Sequence, residues 1–399
     1  MNAALRDVAI VGGGPAGALA AMLLARRGRD VLVLERAPQW RWRACGVFAS
    51  PASVAALVSL GFRDPELAPV ARPVAAMRVE TPRGLGFRLT YGGSGGLHDA
   101  PVGFDRAALD SLLLGRASAA GADVRLGATV ERVVLAGDHA RLAIGGDRSD
   151  VIARVVVGAD GLRSLVARAA GVARRSPLGP RAALSFHLAD TEHDRDARMV
   201  VIDDGYVGIA PVPGGRVNVG IVLGRSWFER LRRDGGRAVA HGICSRVLEA
   251  GAGPADSFTP LDRVAGVTPL GHAVAQRAGT EWLLVGDAAG FLDPFTGEGL
   301  HRAIVSAELA ASAIDAALAG RGASTLADYD RAMRARFATK DLVSRIVQAF
   351  LARPSLFDYA ARRLAARHGV RETMGLVIGD IVPAARALDP RFLAALLAP

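Results

Sequence analysis

The first thirty-five residues restrict this chain more than any other stretch. Val8-Ala9-Ile10-Val11 is a β-branched, apolar run, as a parallel strand buried on both faces requires. Gly12-Gly13-Gly14-Pro15-Ala16-Gly17 follows as G-x-G-x-x-G. Ala18 to Arg27 then reads as an apolar helix stopped at Gly28, and Val31 to Leu34 as a second strand ending on Glu35. Each part has an expected job. Gly12 makes the turn, Gly14 lets the backbone approach a pyrophosphate, and Gly17 lets helix and strand pack closely. Pro15 and Ala16 open the helix, whose N-terminus faces the phosphates. Glu35, twenty-three residues beyond Gly12, suits two ribose hydroxyls and disfavours a 2′-phosphate. On this unit alone the dinucleotide is FAD or NAD. Val8 to Ala25 is also eighteen residues without a charge, long enough for a membrane span. Its glycines and proline, and the lack of a basic region before it, favour strand, turn and helix instead. A cytoplasmic location is therefore expected.

Two more strand-to-turn signatures follow. Val155-Val156-Val157 runs into Gly158-Ala159-Asp160-Gly161, and Trp282 to Val285 runs into Gly286-Asp287-Ala288-Ala289. Asp293-Pro294 and Phe295-Thr296-Gly297-Glu298-Gly299-Leu300 then open a long helix through Leu318. In an open α/β sheet such strand ends meet in one crevice. There is no second G-x-G-x-x-G unit. The two cysteines, Cys45 and Cys244, make neither a disulfide framework, nor a C-x-x-C pair, nor a metal site. Electrons must then come from NAD(P)H docking transiently or from a separate reductase, and no metal is expected.

Over residues 5–320 this set resembles the FAD-binding superfamily of aromatic-ring hydroxylases, geranylgeranyl reductases and flavin-dependent halogenases. The resemblance implies non-covalent FAD in an α/β fold with an α+β second layer. A Rossmann-like FAD-binding domain would take residues 1–70, 100–181 and 265–324. A mixed-sheet substrate domain would take 71–99 and 182–264, and a helical C-terminal region 325–399. It places Glu35, with Arg36 beside it, at the adenosine ribose, Val130 at the adenine, Arg106 near the phosphates and Asp287 at the ribityl chain. Gly286 and Pro294 shape that turn. Gly297, Glu298, Gly299 and Leu300 would aim N–H groups at the pyrimidine end of the flavin, where the reduced ring is negative. Asp160 and Gly161 have two readings: a turn acid satisfying backbone N–H groups, or a contact with the ribityl or pyrophosphate region. Arg106 has the competing role of a surface helix arginine.

Within the superfamily the motifs lean toward the geranylgeranyl-reductase branch. The G-D-A-A-G-F-x-D-P-x-T-G-E-G stretch fits it, and so does Arg43-Ala44-Cys45-Gly46, a turn placed near the flavin. Tyr206-Val207-Gly208-Ile209-Ala210-Pro211, with Asn218-Val219-Gly220, echoes the branch's Y-x-W-x-F-P…G strands. Gly208 replaces the Trp and Ala210 the Phe, which implies a wider pocket and argues against a prenyl substrate. The expected activity is therefore a monooxygenase acting through a flavin hydroperoxide on a hydrophobic or aromatic small molecule, free or carried on a protein. The alternative is a carbon–carbon double-bond reductase. Halogenation needs a lysine beside the flavin, and the only lysine, Lys340, lies beyond the cofactor motifs. Catalytic residues are otherwise unassigned. Cys45 and His301 are the weak candidates, with turn geometry and helix packing as their competing roles.

Charge adds one expectation. The net charge is +10, and 48 of the 49 basic residues are arginine. That is the mark of a GC-rich coding bias, and no basic run with interleaved aromatics points to nucleic acid. Residues 331–399 carry twelve basic and five acidic residues. They read as helices covering the domain, or as a basic face for a carrier protein or membrane. The loop from Tyr91 to Gly96 is glycine-rich enough to serve as substrate entry, or it is a plain hairpin connection.

Overall fold

The computed structural model describes residues 5–39, 46–93, 96–146, 150–249, 258–320 and 324–397. Arg43 and Cys45 lie outside the described residues.

The Leu5–Val11 strand pairs in parallel with Val31–Glu35 on one side and Val151–Gly158 on the other. Val151–Gly158 also pairs in parallel with Trp282–Leu284. The register sets Val11 opposite Gly158, and Gly158 opposite Leu284. The three strands named in the sequence thus end side by side, as the rule for open α/β sheets requires. Asp123–Leu126 extends the sheet beyond Val31–Glu35, and the antiparallel strands Ala140–Ile144 and Val130–Leu135 extend it beyond Val151–Gly158. Buried Leu19, Met22, Ile304 and Ala307, from the helices Pro15–Ala25 and Gly299–Leu318, share one core with Ile10, Val157 and Leu283. The uncharged Val8 to Ala25 stretch is therefore strand, turn and core helix. Among the described residues no helix is long and apolar enough to cross a membrane.

A second seven-stranded sheet runs Ala265–Val267, Ala182–Ala189, Arg216–Leu223, Gly205–Val212, Ala197–Ile202, Met77–Glu80, Gly86–Leu89. The Phe228–Glu249 helix packs on one face through Val239, Ala240, Ile243 and Cys244. Burial there pushes the Cys244 thiol up to about 12, so it behaves as a small hydrophobe. The opposite face presents Met77, Val79, Met199, Tyr206 and Ala210. Two boundaries differ from expectation. Ala265–Val267 hydrogen-bonds to Ala182–Ala189, so it belongs to the second sheet. Ala71–Pro73 pairs with Val102–Phe104, which also pairs with Phe48–Ala49. That small sheet joins the two larger layers: a β-carbon on Gly103 would stand 1.9 Å from the Pro211 carbonyl oxygen.

The C-terminal region is helical, over Ser324–Leu351, Pro354–Ala366, His368–Ile378 and Pro390–Leu397. Two of these helices begin on a proline, which loses nothing at a position whose N–H is unpaired anyway. Their apolar faces meet in a cluster of Val343, Leu364, Val370, Val377, Phe392 and Leu396. The Ser324–Leu351 helix packs on the Gly299–Leu318 helix, and Pro354–Ala366 packs on the Gly86–Leu89 strand.

Candidate cofactor and active site

The first glycine loop divides into packed and open positions. Gly12 has φ +102°, and a β-carbon there would meet the Ala159 carbonyl oxygen at 2.5 Å. One on Gly17 would meet the Gly12 carbonyl oxygen at 2.0 Å. These two glycines are fixed by packing. Gly14 caps the Pro15–Ala25 helix and has no heavy atom within 4 Å of a β-carbon site. It leaves the helix's unpaired N–H groups approachable, as a bound phosphate needs. Glu35 is buried; its Oε2 accepts from Gly13 N at 2.9 Å and its Oε1 from Ala37 N at 2.9 Å. Arg36 is exposed at the strand end. Ala128 N donates to Glu35 O at 3.0 Å, which brings the start of the Val130–Leu135 strand beside Glu35.

At the second strand end, Asp160 Oδ2 accepts from Leu165 N, the first residue of the Leu165–Ala169 helix, at 2.6 Å, beside the Ser164 cap. That is the turn role. Its Oδ1 is buried without a partner among the described residues, and burial holds the carboxyl above the usual range. Gly161, at φ +72°, has open space beside it.

At the third strand end, Gly286 N donates to Ser306 Oγ at 2.9 Å, and a β-carbon on Gly286 would stand 2.8 Å from Ala16 Cβ. The Asp287 turn therefore lies against the first glycine loop. Burial pushes the Asp287 carboxyl up to about 6, while the Arg106 and Arg302 charges pull it back. Arg106 makes two bonds to Asp110, at 3.0 and 3.1 Å, and a third to Gly46 O at 2.9 Å. Its charge thus reaches the crevice rather than the outer surface.

The turn after Asp293 is closed by Gly297 N donating to Pro294 O at 3.0 Å. Gly297 has φ +69° and lies against Phe48. Gly299 opens the Gly299–Leu318 helix with open space beside it, and Leu300 is buried. Glu298 points backwards from this turn, accepting from Ser344 Oγ at 3.2 Å and pairing with Arg302. It anchors the turn to the C-terminal helices. His301 is buried beside Arg336, which contacts its Nε2 at 3.1 Å, and burial holds its pKa below the usual value. It faces those helices, as a packing residue does.

An apolar pocket of about 20 Å³ adjoins this turn, lined among others by Phe48, Tyr91, Met199, Phe295, Thr296 and Ile378. It joins the Asp293–Gly299 turn, the second sheet and the C-terminal region. The wider pocket expected from Gly208 is not there. A β-carbon on Gly208 would lie 3.5 Å from Met199 Cε, so the methionine covers the space the missing tryptophan leaves. Sequence reasoning also missed the set behind the pocket. Asp293 accepts from Tyr206 Oη at 2.6 Å, Gln348 Nε2 at 2.7 Å and Arg181 Nη1 at 2.5 Å. It ties four segments to one carboxylate, and only its place in the G-D…D-P stretch could have pointed to it. Cys45 and Arg43, the remaining expected flavin neighbours, fall outside the described residues.

The residues fit FAD. Two helix N-termini and two open glycines face one crevice, with a buried acid, Asp160, whose Oδ1 lacks a protein partner. Glu35 and Val130 would hold the adenosine end, Gly14 the pyrophosphate, Asp287 the ribityl chain and Gly299 the pyrimidine end.

Comparison with known proteins agrees. The family described as FAD binding domain matches residues 6–344. Digeranylgeranylglycerophospholipid reductase 2 of Methanopyrus kandleri is 31% identical over 332 residues, 77% of this chain and 78% of that one. Menaquinone reductase of Mycobacterium tuberculosis is 31% identical over 364 residues, 81% of this chain and 80% of that one. The crystal structure of CmlS, a flavin-dependent halogenase, superposes with a TM-score of 0.73 at 25% identity, covering 84% of this chain and 63% of the halogenase.

Proposed function

Since the chain belongs to the FAD-binding oxidoreductase superfamily of aromatic-ring hydroxylases and geranylgeranyl reductases, we propose that it reduces carbon–carbon double bonds in the isoprenoid chain of a lipid. The observation that carries this reading is the likeness, over three quarters of the chain, to two reductases of such lipids. A digeranylgeranyl lipid and a menaquinone differ in their head groups and share an unsaturated isoprenoid chain. Among the sequence expectations, the double-bond reductase is therefore preferred to the hydroxylase. The wall of the pocket beside the Gly297 turn is mostly hydrocarbon and thioether, the chemistry an isoprenoid chain prefers. At about 20 Å³ it has room for about one water, so a chain enters only if the wall moves. The halogenase likeness does not extend to the lysine. Lys340 is buried and engaged, bonded to Asp380 and to the Val377 carbonyl.

FAD, once bound and reduced, supplies hydride. The chain's own residues position and shield. Phe48 and Phe295 wall the pocket and exclude water, while Met199 and Ile378 set its depth. Asp293 keeps the turn rigid through Tyr206, Arg181 and Gln348. The electron donor is NAD(P)H docking transiently or a separate reductase. The test is anaerobic: photoreduced holoenzyme is mixed with a geranylgeranyl phospholipid or menaquinone, and the product is weighed. A gain of two hydrogens without oxygen supports reduction. A gain of one oxygen atom, seen only in air, supports the hydroxylase.

A further inference from the structure

Saturating a double bond consumes a proton as well as a hydride, and an apolar pocket offers few sources of one. Two side chains in its wall carry an O–H group, Tyr91 and Thr296. The protein has four tyrosines, and three have engaged hydroxyls. Tyr206 donates to Asp293 at 2.6 Å, Tyr329 to the Leu284 carbonyl at 2.6 Å and Tyr359 to the Leu397 carbonyl at 2.7 Å. Tyr91 is 2% exposed, and its phenol is pushed up by burial alone, with no hydrogen bond to a described residue contributing. Its hydroxyl is not fully buried, so it keeps contact with open space. A buried phenol ordinarily finds a hydrogen-bond partner.

Its position is held from two sides. The ring lies 5.8 Å from the Phe48 ring, centroid to centroid, and Phe48 rests on Gly297 of the flavin-side turn. Behind it, a β-carbon on Gly379 would stand 3.0 Å from Tyr91 Cδ1, and one on Gly375 would stand 2.0 Å from the Thr90 carbonyl oxygen. The His368–Ile378 helix and Gly379 are therefore pressed against Thr90 and Tyr91, which follow the Gly86–Leu89 strand. A fixed aromatic ring with an unengaged hydroxyl in a hydrocarbon pocket is the arrangement of a proton donor.

Resting on the reductase reading, we propose that Tyr91 is a catalytic residue that delivers the proton to the double bond. The Tyr91 O–H bond breaks and a C–H bond forms at one alkene carbon. The other carbon takes the hydride that the reduced cofactor supplies, and the π bond is lost. The alkene gains two electrons, which reduced FAD would supply as the hydride. Solvent returns a proton to the phenolate after the saturated product has left the pocket. Thr296 is the weaker source, because an alcohol is a far poorer acid than a phenol. Burial holds the Tyr91 phenol above its ordinary value, so it carries its proton at neutral pH.

The test uses FAD-loaded wild type, Tyr91→Phe, Thr296→Val and Cys45→Ser with a geranylgeranyl phospholipid in detergent micelles. Tyr91→Phe should keep the flavin spectrum, its photoreduction and its reoxidation by oxygen. It should form saturated product about 100-fold more slowly or worse, with the solvent deuterium isotope effect on product formation changed. A second readout needs no turnover. In oxidised holoenzyme labelled with 3-fluorotyrosine, the fluorine resonance missing from Tyr91→Phe should shift when the lipid is added. The proposal is overturned if Tyr91→Phe forms product within twofold of wild type, or if that resonance stays put while the lipid binds. It is overturned equally if the loss appears in Thr296→Val or Cys45→Ser and not in Tyr91→Phe. If wild type forms no reduced product at all, the reductase reading fails and the role of Tyr91 with it.

Discussion

Gly297 rests on Phe48 so closely that a β-carbon on the glycine would stand 2.6 Å from Phe48 Cδ1. Two residues on, Gly299 has nothing within 4 Å of the same construction. One glycine of the motif is needed for packing, and the other keeps the helix N-terminus open. Gly297→Ala should therefore destabilise the apoprotein by about 1–2 kcal/mol from the left-handed backbone alone, before Phe48 has to move. Gly299→Val should leave the apoprotein melting temperature unchanged. It should lower the flavin midpoint potential, because the side chain separates the helix N–H groups from the reduced ring. Differential scanning fluorimetry of both apoproteins and spectroelectrochemistry of the loaded Gly299→Val protein decide. Equal melting losses, or an unshifted potential in Gly299→Val, would sink the division.

Glu35 anchors the loop through Gly13 N and Ala37 N, and it is the residue expected at the ribose. Replacing it with Ala removes an ionised acceptor from Gly13 N and Ala37 N together with any ribose contact. FAD affinity should fall by about 1–3 kcal/mol, read by titrating apoprotein with FAD and following flavin fluorescence. Glu35→Gln keeps an acceptor oxygen and should lose less. Equal losses in the two variants would mean that geometry, not charge, is what the ribose site uses.

Asp287 gives the apoprotein a pH signature. Its carboxyl is raised from 3.8 to about 6, chiefly by burial. The folded chain therefore holds this proton more tightly than the unfolded chain does. The stabilisation is complete below the ordinary value near 3.8 and is lost as pH climbs through 6. Asp287→Asn should make the apoprotein melt higher than wild type at pH 7 to 8, with the gain vanishing near pH 4. A gain that is the same at every pH would show that the charge is not its origin.

The parts of the site legible in the sequence are those built from neighbours along the chain. Gly12, Gly14, Gly17 and Glu35 lie within one β-turn-α-β unit, so spacing alone located them. The strand ends at Gly158 and Val285 were equally visible, because short apolar runs stopping on glycine read as buried strands whose ends open on a ligand crevice. The pocket was not legible. Tyr91, Phe48, Met199 and Ile378 come from four distant segments, and no local pattern marks which side chains meet. The Gly208 position shows the cost: read alone it predicts added space, yet Met199 on the paired strand fills it. Asp293 is similar, since its partners Arg181, Tyr206 and Gln348 lie 112, 87 and 55 residues away.

Lys340 pins the C-terminal region to the flavin-side turn. Its Nζ lies 2.8 Å from Asp380 Oδ1, donates to the Val377 carbonyl at 2.6 Å and sits 3.8 Å from Glu298 Oε1, with Lys340 and Glu298 buried and Asp380 mostly so. Lys340→Met strips the cation from Asp380, and breaking one side of a buried pair costs about 3–5 kcal/mol. Hydrogen exchange should speed up across the His368–Ile378 helix more than in the Leu5–Val11 strand, while the flavin spectrum of loaded protein is kept. Uniform loss of protection would show that Lys340 supports the whole fold rather than this attachment.

Met199 and Gly208 make the pocket depth testable by exchange. Met199→Ala removes a buried side chain and should cost about 2–5 kcal/mol, while enlarging the pocket. Gly208→Trp alone overpacks, because Met199 Cε already lies in contact distance of the new β-carbon; such insertions typically cost about 1–3 kcal/mol. Gly208 is not at positive φ, so the strand backbone itself accepts a side chain there. Combining the two substitutions puts an aromatic where the methionine was. The double variant should then be more stable than the sum of the single losses predicts, because neighbours that share one space do not act independently. Urea unfolding of the four apoproteins gives the coupling. Strict additivity would show that Met199 does not occupy the volume left by the missing tryptophan, and that the pocket is closed by some other part of its wall.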